Sequence, residues 1–173
     1  MNTVIEQEKL YLQAVETFGA SFQRLTRAAE ADSDRQYDLL QEIHVSIWKS
    51  LARFDGRCTL ATWVYRVAHN ATASYITRER RQLAKPMQLV EIDEVVDPQS
   101  LIKLVETDDA LERLYDWIRC LKTIDRQVLT LYLEELDAKT IADITGMSPG
   151  AVATRISRLK SQLAKDFSEV NDD

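Results

Sequence analysis

Three features of the sequence predict an all-α protein made of two small helical domains joined by an acidic linker. Gly and Pro are scarce, four and three in 173 residues, so few positions interrupt a helix. Apolar residues recur at three- and four-residue steps along most of the chain, the period of a helix with one buried face. From Gln82 to Thr107 that period fades, Pro86 and Pro98 occur and acids cluster; a loop of this length is unusual inside one compact domain. The expected division is a helical domain over 1–85, a linker over 86–107 and a helix-turn-helix domain, of winged-helix-like type, over 108–173.

In the first domain, Leu10, Val15, Phe18, Phe22 and Leu25 predict an amphipathic helix over 4–30, or two helices with a break near Gly19. Asp32-Ser-Asp-Arg reads as a turn and cap. A second helix from about Arg35 to Leu51 buries Leu39, Leu40, Ile43, Ile47, Trp48 and Leu51, and leaves Gln41, Glu42 and Lys49 toward solvent. Asp55-Gly56 supplies a turn and Thr59 a cap. A third helix, Leu60 to about Arg81, places Leu60, Trp63, Val64, Val67, Ala68, Ala71 and Tyr75 inward and ends in charge.

In the second domain, a helix over Asp108 to Leu121 presents Leu111, Leu114, Trp117 and Ile118. Asp125 is expected to cap the next helix, which carries Val128, Leu129, Tyr132 and Leu133 and stops near Leu136-Asp137. From Asp137 to Ile156 the sequence reads DAKTIADITGMSPGAVATRI. A short helix buries Ile141 and Ile144, Gly146 takes a positive φ, Ser148 caps, and Pro149 starts the last helix where a missing N–H is tolerated. That helix, to about Phe167, buries Val152, Ile156, Leu159 and Leu163.

The net charge of -6 conceals unequal blocks. Arg53 to Lys85 holds seven basic residues against two acidic, Pro86 to Glu112 one against eight, and Asp137 to Lys165 five against two. Screening limits the reach of a charge to about 10 Å at 0.1 M salt, so local sign governs partners. Cys58 and Cys120 have neither CxxC spacing nor a disulfide pattern, and His44 and His69 have no local metal-ligand spacing. No Gly-rich phosphate loop or nucleophile elbow occurs, and the acids from Glu91 to Asp97 do not match a calcium loop. No enzyme activity, metal or cofactor is expected. No run approaches the roughly 18 apolar residues of a membrane span, and a cytoplasmic protein without membrane insertion is expected.

A short helix, a glycine turn and a longer helix form the layout in which the second helix enters a major groove. Its outward residues would be Ala151, Ala153, Thr154, Arg155, Ser157, Arg158, Lys160 and Ser161. Arg155 and Arg158 suit guanine edges or phosphates, Thr154 and Ser148 the backbone. In the first basic block, Phe54, Trp63, Tyr65 and Tyr75 interleave with Arg53, Arg57, Arg66, Arg78, Arg80 and Arg81, as in proteins that stack single-stranded bases. Helical phase argues instead that Trp63 is core. A stand-alone helix-turn-helix regulator of duplex DNA and a helical protein-binding adaptor remain open at this level.

Two segments carry a family likeness. The first is Asp38-Leu-Leu-Gln-Glu-Ile-His-Val-Ser-Ile-Trp, then Phe54-Asp-Gly-Arg and Leu60-Ala-Thr-Trp-Val-Tyr-Arg-Val-Ala-His-Asn. The second is Leu121-Lys-Thr-Ile-Asp-Arg-Gln-Val-Leu with Ile141 to Leu159. Together, from about Ala14 to Leu163, the chain resembles bacterial RNA polymerase sigma factors of the extracytoplasmic-function (ECF) class, the first segment their region two and the second their region four.

The resemblance implies that Asp38, Gln41, Glu42 and Trp48 dock on core RNA polymerase. It implies that Phe54, Arg57, Arg66, Asn70, Tyr75 and Arg78 serve melting and capture of the minus-ten strand. It assigns minus-35 recognition to Ser148, Ala151, Thr154, Arg155, Arg158 and Lys160. Promoter DNA, both duplex and melted, and an anti-sigma factor are the further partners implied. Ala153 stands where the family commonly has Lys, and Leu159 and Ser161 fall in a usually Arg-rich part, so minus-35 contacts are expected to be fewer or differently directed. Ser74-Tyr-Ile-Thr-Arg-Glu-Arg-Arg lacks the usual acid ahead of its arginines, so the minus-ten sequence does not transfer.

Overall fold

The computed structural model describes residues 3–84 and 110–168. The chain divides into two compact units, Met1–Glu94 and Val95–Asp173. The expected linker, with its acids, lies outside the described residues.

The first unit packs three long helices. Helix α1, Val4–Ala29, opens with a reciprocal cap: the Glu6 amide donates to Thr3 Oγ1 at 3.3 Å and the Thr3 amide to Glu6 Oε2 at 2.8 Å. The Thr3 amide, and after it the Thr3 hydroxyl, donate to the Glu6 carboxylate, favour its ionised form and hold the Glu6 pKa below its ordinary value. The break considered at Gly19 does not occur, and α1 is continuous. Glycine inside a helix costs about 1 kcal/mol relative to Ala; burial of Ala14, Phe22 and Leu25 outweighs it.

Helix α2, Ser33–Leu51, starts where Asp32 accepts from the Arg35 amide at 2.9 Å. Its Leu39, Ile43, Ile47 and Leu51 are fully buried at four-residue steps, and meet Val64, Ala68, Tyr75 and Ile76 of α3, Leu60–Ala84. Thr59 accepts from the Thr62 amide at 3.1 Å and so caps α3 as expected. Gly56 has φ 73°, the left-handed turn geometry anticipated from Asp55-Gly56.

The second unit consists of α4 (Ala110–Cys120), α5 (Thr123–Leu133), α6 (Ala138–Thr145) and α7 (Pro149–Ser168). Trp117, Ile118, Val128, Leu131, Ile141, Val152 and Leu159 form its dry interior. Trp117 Nε1 donates to Asp166 Oδ2 at 2.8 Å, tying the far end of α7 to α4. Arg126, buried, donates from Nη2 to the carbonyls of Arg119 and Leu121, acceptors at the end of α4.

At two places the fold departs from expectation. Asp125 does not cap α5: Lys122 occupies the cap position without a side-chain bond, and Asp125 lies buried in the first turn. Helix α5 also stops earlier than Leu136, at Leu133, because Glu135 turns left-handed at φ 62°. The helix-turn-helix itself forms as read. Asp137 accepts from the Thr140 amide at 2.7 Å, Gly146 ends α6 at φ 76°, and Ser148 Oγ accepts from the Ala151 amide at 3.2 Å. Among the described residues there is no strand, so the helix-turn-helix stands there without a β-wing.

Candidate nucleic-acid and polymerase interfaces

On α2, Asp38 and Gln41 are exposed and share an outward face with Val45. Glu42 is half-exposed and bonded by Arg78 Nη2 at 2.8 Å. Trp48 is partly buried, its ring edge-on to Tyr11 with centroids 5.4 Å apart, and its carbonyl accepts from Gln7 Nε2 at 2.7 Å. Asp38 and Gln41 are therefore available to a partner, Glu42 is shared with α3, and Trp48 braces α1 against α2.

In the loop before α3, Arg57 is exposed and paired with Asp55 at 3.0 Å. Phe54 and Trp63 pack edge to face at 5.5 Å, and Trp63 Nε1 donates to Ser50 Oγ at 3.0 Å. Arg66 is half-buried and Asn70 exposed. Tyr75 is 4% exposed, and its hydroxyl donates to Glu30 Oε2 at 2.6 Å. Burial first, then the Glu30 carboxylate, pushes its pKa well above the ordinary phenol value. The Tyr75 ring therefore has no free face for a base, and helical phase, which put it inward, gives the correct account of it. Arg78 lies over that ring at 5.4 Å; its bond to Glu42 raises its already high pKa.

Tyr65 is buried as well, with its hydroxyl donating to Ser21 Oγ at 3.2 Å, so neither tyrosine offers a stacking face, while Phe54 and Trp63 stay partly exposed. A different surface appears on the outside of α3. Arg66, Asn70, Ser74, Thr77, Arg78 and Arg81 recur at three- and four-residue steps and so share one side of the helix. Its distal part is a shallow hollow of about 570 Å³ lined by Ala73, Ser74, Thr77, Arg78, Arg81 and Gln82. Five of these, Ala73, Ser74, Thr77, Arg81 and Gln82, lie outside the expected minus-ten set, Arg81 figuring only in the basic block; counting helical phase outward from Asn70 finds Ser74, Thr77 and Arg81.

On α7, Ala151, Thr154 and Arg158 are exposed on one side. Arg155 lies at the edge of that side and bonds Asp125 Oδ1 through Nη1, and Arg158 Nη2 reaches the same oxygen at 2.9 Å. Ser148 spends its hydroxyl on the cap. Lys160 is set apart: nine residues after Ala151, it falls half a turn round the helix, and its Nζ lies 5.7 Å from the centre of the Tyr132 ring. A groove that meets Ala151 and Arg158 does not meet Lys160 by the same face.

Among the described residues, no group of His, Cys, Asp or Glu could hold a metal ion. No helix there is long and apolar enough to cross a membrane.

The family model "Sigma-70 region 2" matches residues 13–82, and "Sigma-70, region 4" matches residues 111–163; the pair defines the sigma-70 type of transcription initiation factor. The ECF RNA polymerase sigma-E factor of Haemophilus influenzae is 30% identical over 134 residues, 73% of this chain and 71% of the relative. RNA polymerase sigma factor YlaC of Bacillus subtilis is 27% identical, over 76% of this chain and 77% of its own. Among solved structures, the Bartonella quintana sigma factor RpoE in complex with the anti-sigma factor NepR matches with a TM-score of 0.64 at 16% identity, covering 91% of this chain and 96% of that one. CnrH in complex with the cytosolic domain of CnrY gives 0.60 at 19%, covering 98% and 97%. These two likenesses concern the fold alone. The chain belongs to the ECF class of bacterial RNA polymerase sigma factors. Its role is that of a non-catalytic subunit directing core RNA polymerase to promoters.

Proposed function

We propose that the two units divide promoter recognition between them, with 1–85 engaging core polymerase and the opened minus-ten strand, 108–173 the minus-35 duplex, and 86–107 joining them. The observation that carries this assignment is the pair of separate polar, basic faces: Arg66, Asn70, Thr77, Arg78 and Arg81 on α3, and Ala151, Thr154, Arg155 and Arg158 on α7. The α3 hollow has hydroxyl groups flanked by arginines, suited to a flipped base and its phosphates. An already unpaired base costs less to extract. The α7 face is small at the exposed Ala151, which allows close approach to base edges.

Polymerase contact through Asp38, Gln41 and Glu42 would place α3 beside the opened DNA. The Glu42–Arg78 bond joins these two duties. The two basic faces and the α2 face would be the targets of an inhibitory partner, and an anti-sigma factor of the kind bound to the two solved relatives fits this reading; so does action in the cytoplasm.

Run-off transcription with purified core polymerase on genomic fragments tests it. Specific starts are expected with the chain and not without it. They should be lost or shifted on Arg155→Ala, and opening should fail on Asn70→Ala. Specific binding to promoter duplex without polymerase, and no starts with it, would favour the stand-alone regulator instead.

A further inference from the structure

A carboxylate lies under the basic face of α7. Asp125 sits in the first turn of α5 with its side chain 11% exposed, and a single oxygen, Oδ1, accepts from both Arg155 and Arg158. The two arginines differ in freedom: the Arg155 side chain is 29% exposed and that of Arg158 is 59% exposed. Helix α7 itself contributes no acid between Pro149 and Lys165, and Asp166 is bonded to Trp117. The anion beneath these arginines is therefore supplied across the fold, by α5.

A surface that only attracted phosphate would be weakened by such a group. Full attraction needs two unpaired guanidinium charges, and Asp125 offsets one of them. We propose that Asp125 is a specificity-determining residue of this sigma factor. It holds Arg155 in a fixed plane and competes with DNA for Arg158, so that a duplex captures the pair only by offering acceptors in the matching positions.

The proposal rests on the assignment of α7 as the duplex-reading helix, and its physical basis is the chemistry of the guanidinium group. Arginine has five N–H donors in a rigid fork. The bonds to Asp125 use one nitrogen of each side chain, which leaves donors for a base edge while the anchor persists. Anchoring one edge removes rotamer freedom before DNA arrives, so less is lost on binding. Phosphates, present along every duplex, tolerate many geometries; a guanine edge does not. Removing the carboxylate frees two flexible cations for any phosphate, so it should strengthen indiscriminate binding and weaken discrimination. A purely structural Asp125 predicts the opposite pattern, equal weakening on all sequences.

The test uses the full chain and the substitutions Asp125→Asn and Asp125→Glu. In the first arm, free protein is titrated into a pool of random-sequence duplex over a salt series. Asp125→Asn should bind about 5- to 10-fold tighter near 0.1 M salt, with the log–log salt slope steeper by about one, the signature of roughly one added phosphate contact. In the second arm, holoenzyme selects from promoters randomised upstream. The strongest upstream base preference should fall about tenfold in Asp125→Asn, within the range of one bidentate contact, and return in Asp125→Glu.

An unchanged slope with undiminished preference, or a uniform loss of affinity, overturns the proposal. A third arm needs no variant: arginine side-chain NMR of the wild-type chain should show hindered Arg155 and Arg158 guanidinium groups, with Arg158 released on adding the selected duplex. Free rotation of both in the absence of DNA refutes it even if Asp125→Asn does not fold. Should wild-type holoenzyme select no upstream sequence, the assignment of α7 to the minus-35 element fails. The salt-series arm then still decides whether Asp125 restrains the arginines.

Discussion

Replacing Tyr75 by Phe separates a structural role for this ring from one in DNA capture. The ring is 4% exposed, and its hydroxyl gives a 2.6 Å bond to Glu30, the residue that caps the C-terminus of α1. Hydrogen bonds to charged groups contribute about 1.5–3 kcal/mol. Glu30 is only partly buried and can turn to water, so a cost near the lower end, about 1–2 kcal/mol, is expected in urea unfolding of the whole chain. The phenol pKa is raised in the fold, so the neutral form is favoured there. Its contribution is complete below the unfolded phenol value of about 10 and is lost as pH rises toward the folded one. Wild-type protein should lose stability above that pH more steeply than Tyr75→Phe. With the variant folded at neutral pH, open-complex yield in permanganate probing should equal wild type, because the buried ring meets no base. Unchanged stability together with lost opening would refute the reasoning and return Tyr75 to the capture surface.

Other expectations follow from single features. Glu135→Gly should stabilise the second unit by about 0.5–1 kcal/mol in chemical unfolding, because Gly relieves the left-handed strain of φ 62° and loses part of that gain to unfolded-state entropy. Asp137 has its pKa lowered, first by the Thr140 amide bond; its stabilising effect is present above the unfolded carboxylate value and lost as pH falls, so Asp137→Asn should flatten the acid limb of stability against pH. Trp117→Ala should cost about 3–5 kcal/mol and abolish amide-exchange protection over 110–168 while sparing 3–84. Arg57→Ala removes an exposed ion pair worth at most about 1 kcal/mol, so the melting temperature should hold while promoter opening declines.

Local chemistry proved legible in the sequence and tertiary pairing did not. Gly146, Ser148 and Pro149 each have a backbone role determined by their own residue type, and all three appear as read. The four-residue stripe from Leu39 to Leu51 likewise gave the buried side of α2. Asp125 was misread because an acid near a helix start looks like a cap; its partners are 30 and 33 residues away, and nothing local marks them. Lys160 counts with Arg155 and Arg158 among the outward residues of the last helix, although its helical phase already sets it on another flank. The α3 hollow was overlooked for the converse reason, as Ser74 and Thr77 are small polar residues whose significance comes from the arginines one turn away.

Site-specific photo-crosslinking in a single open complex with core polymerase separates the duties of the two units. A crosslinker at Asn70 should capture the melted non-template strand near the minus-ten element, and one at Arg158 the duplex near the minus-35 element. Capture of the same DNA segment from both positions, or of protein alone, would contradict a division of promoter recognition between the two units.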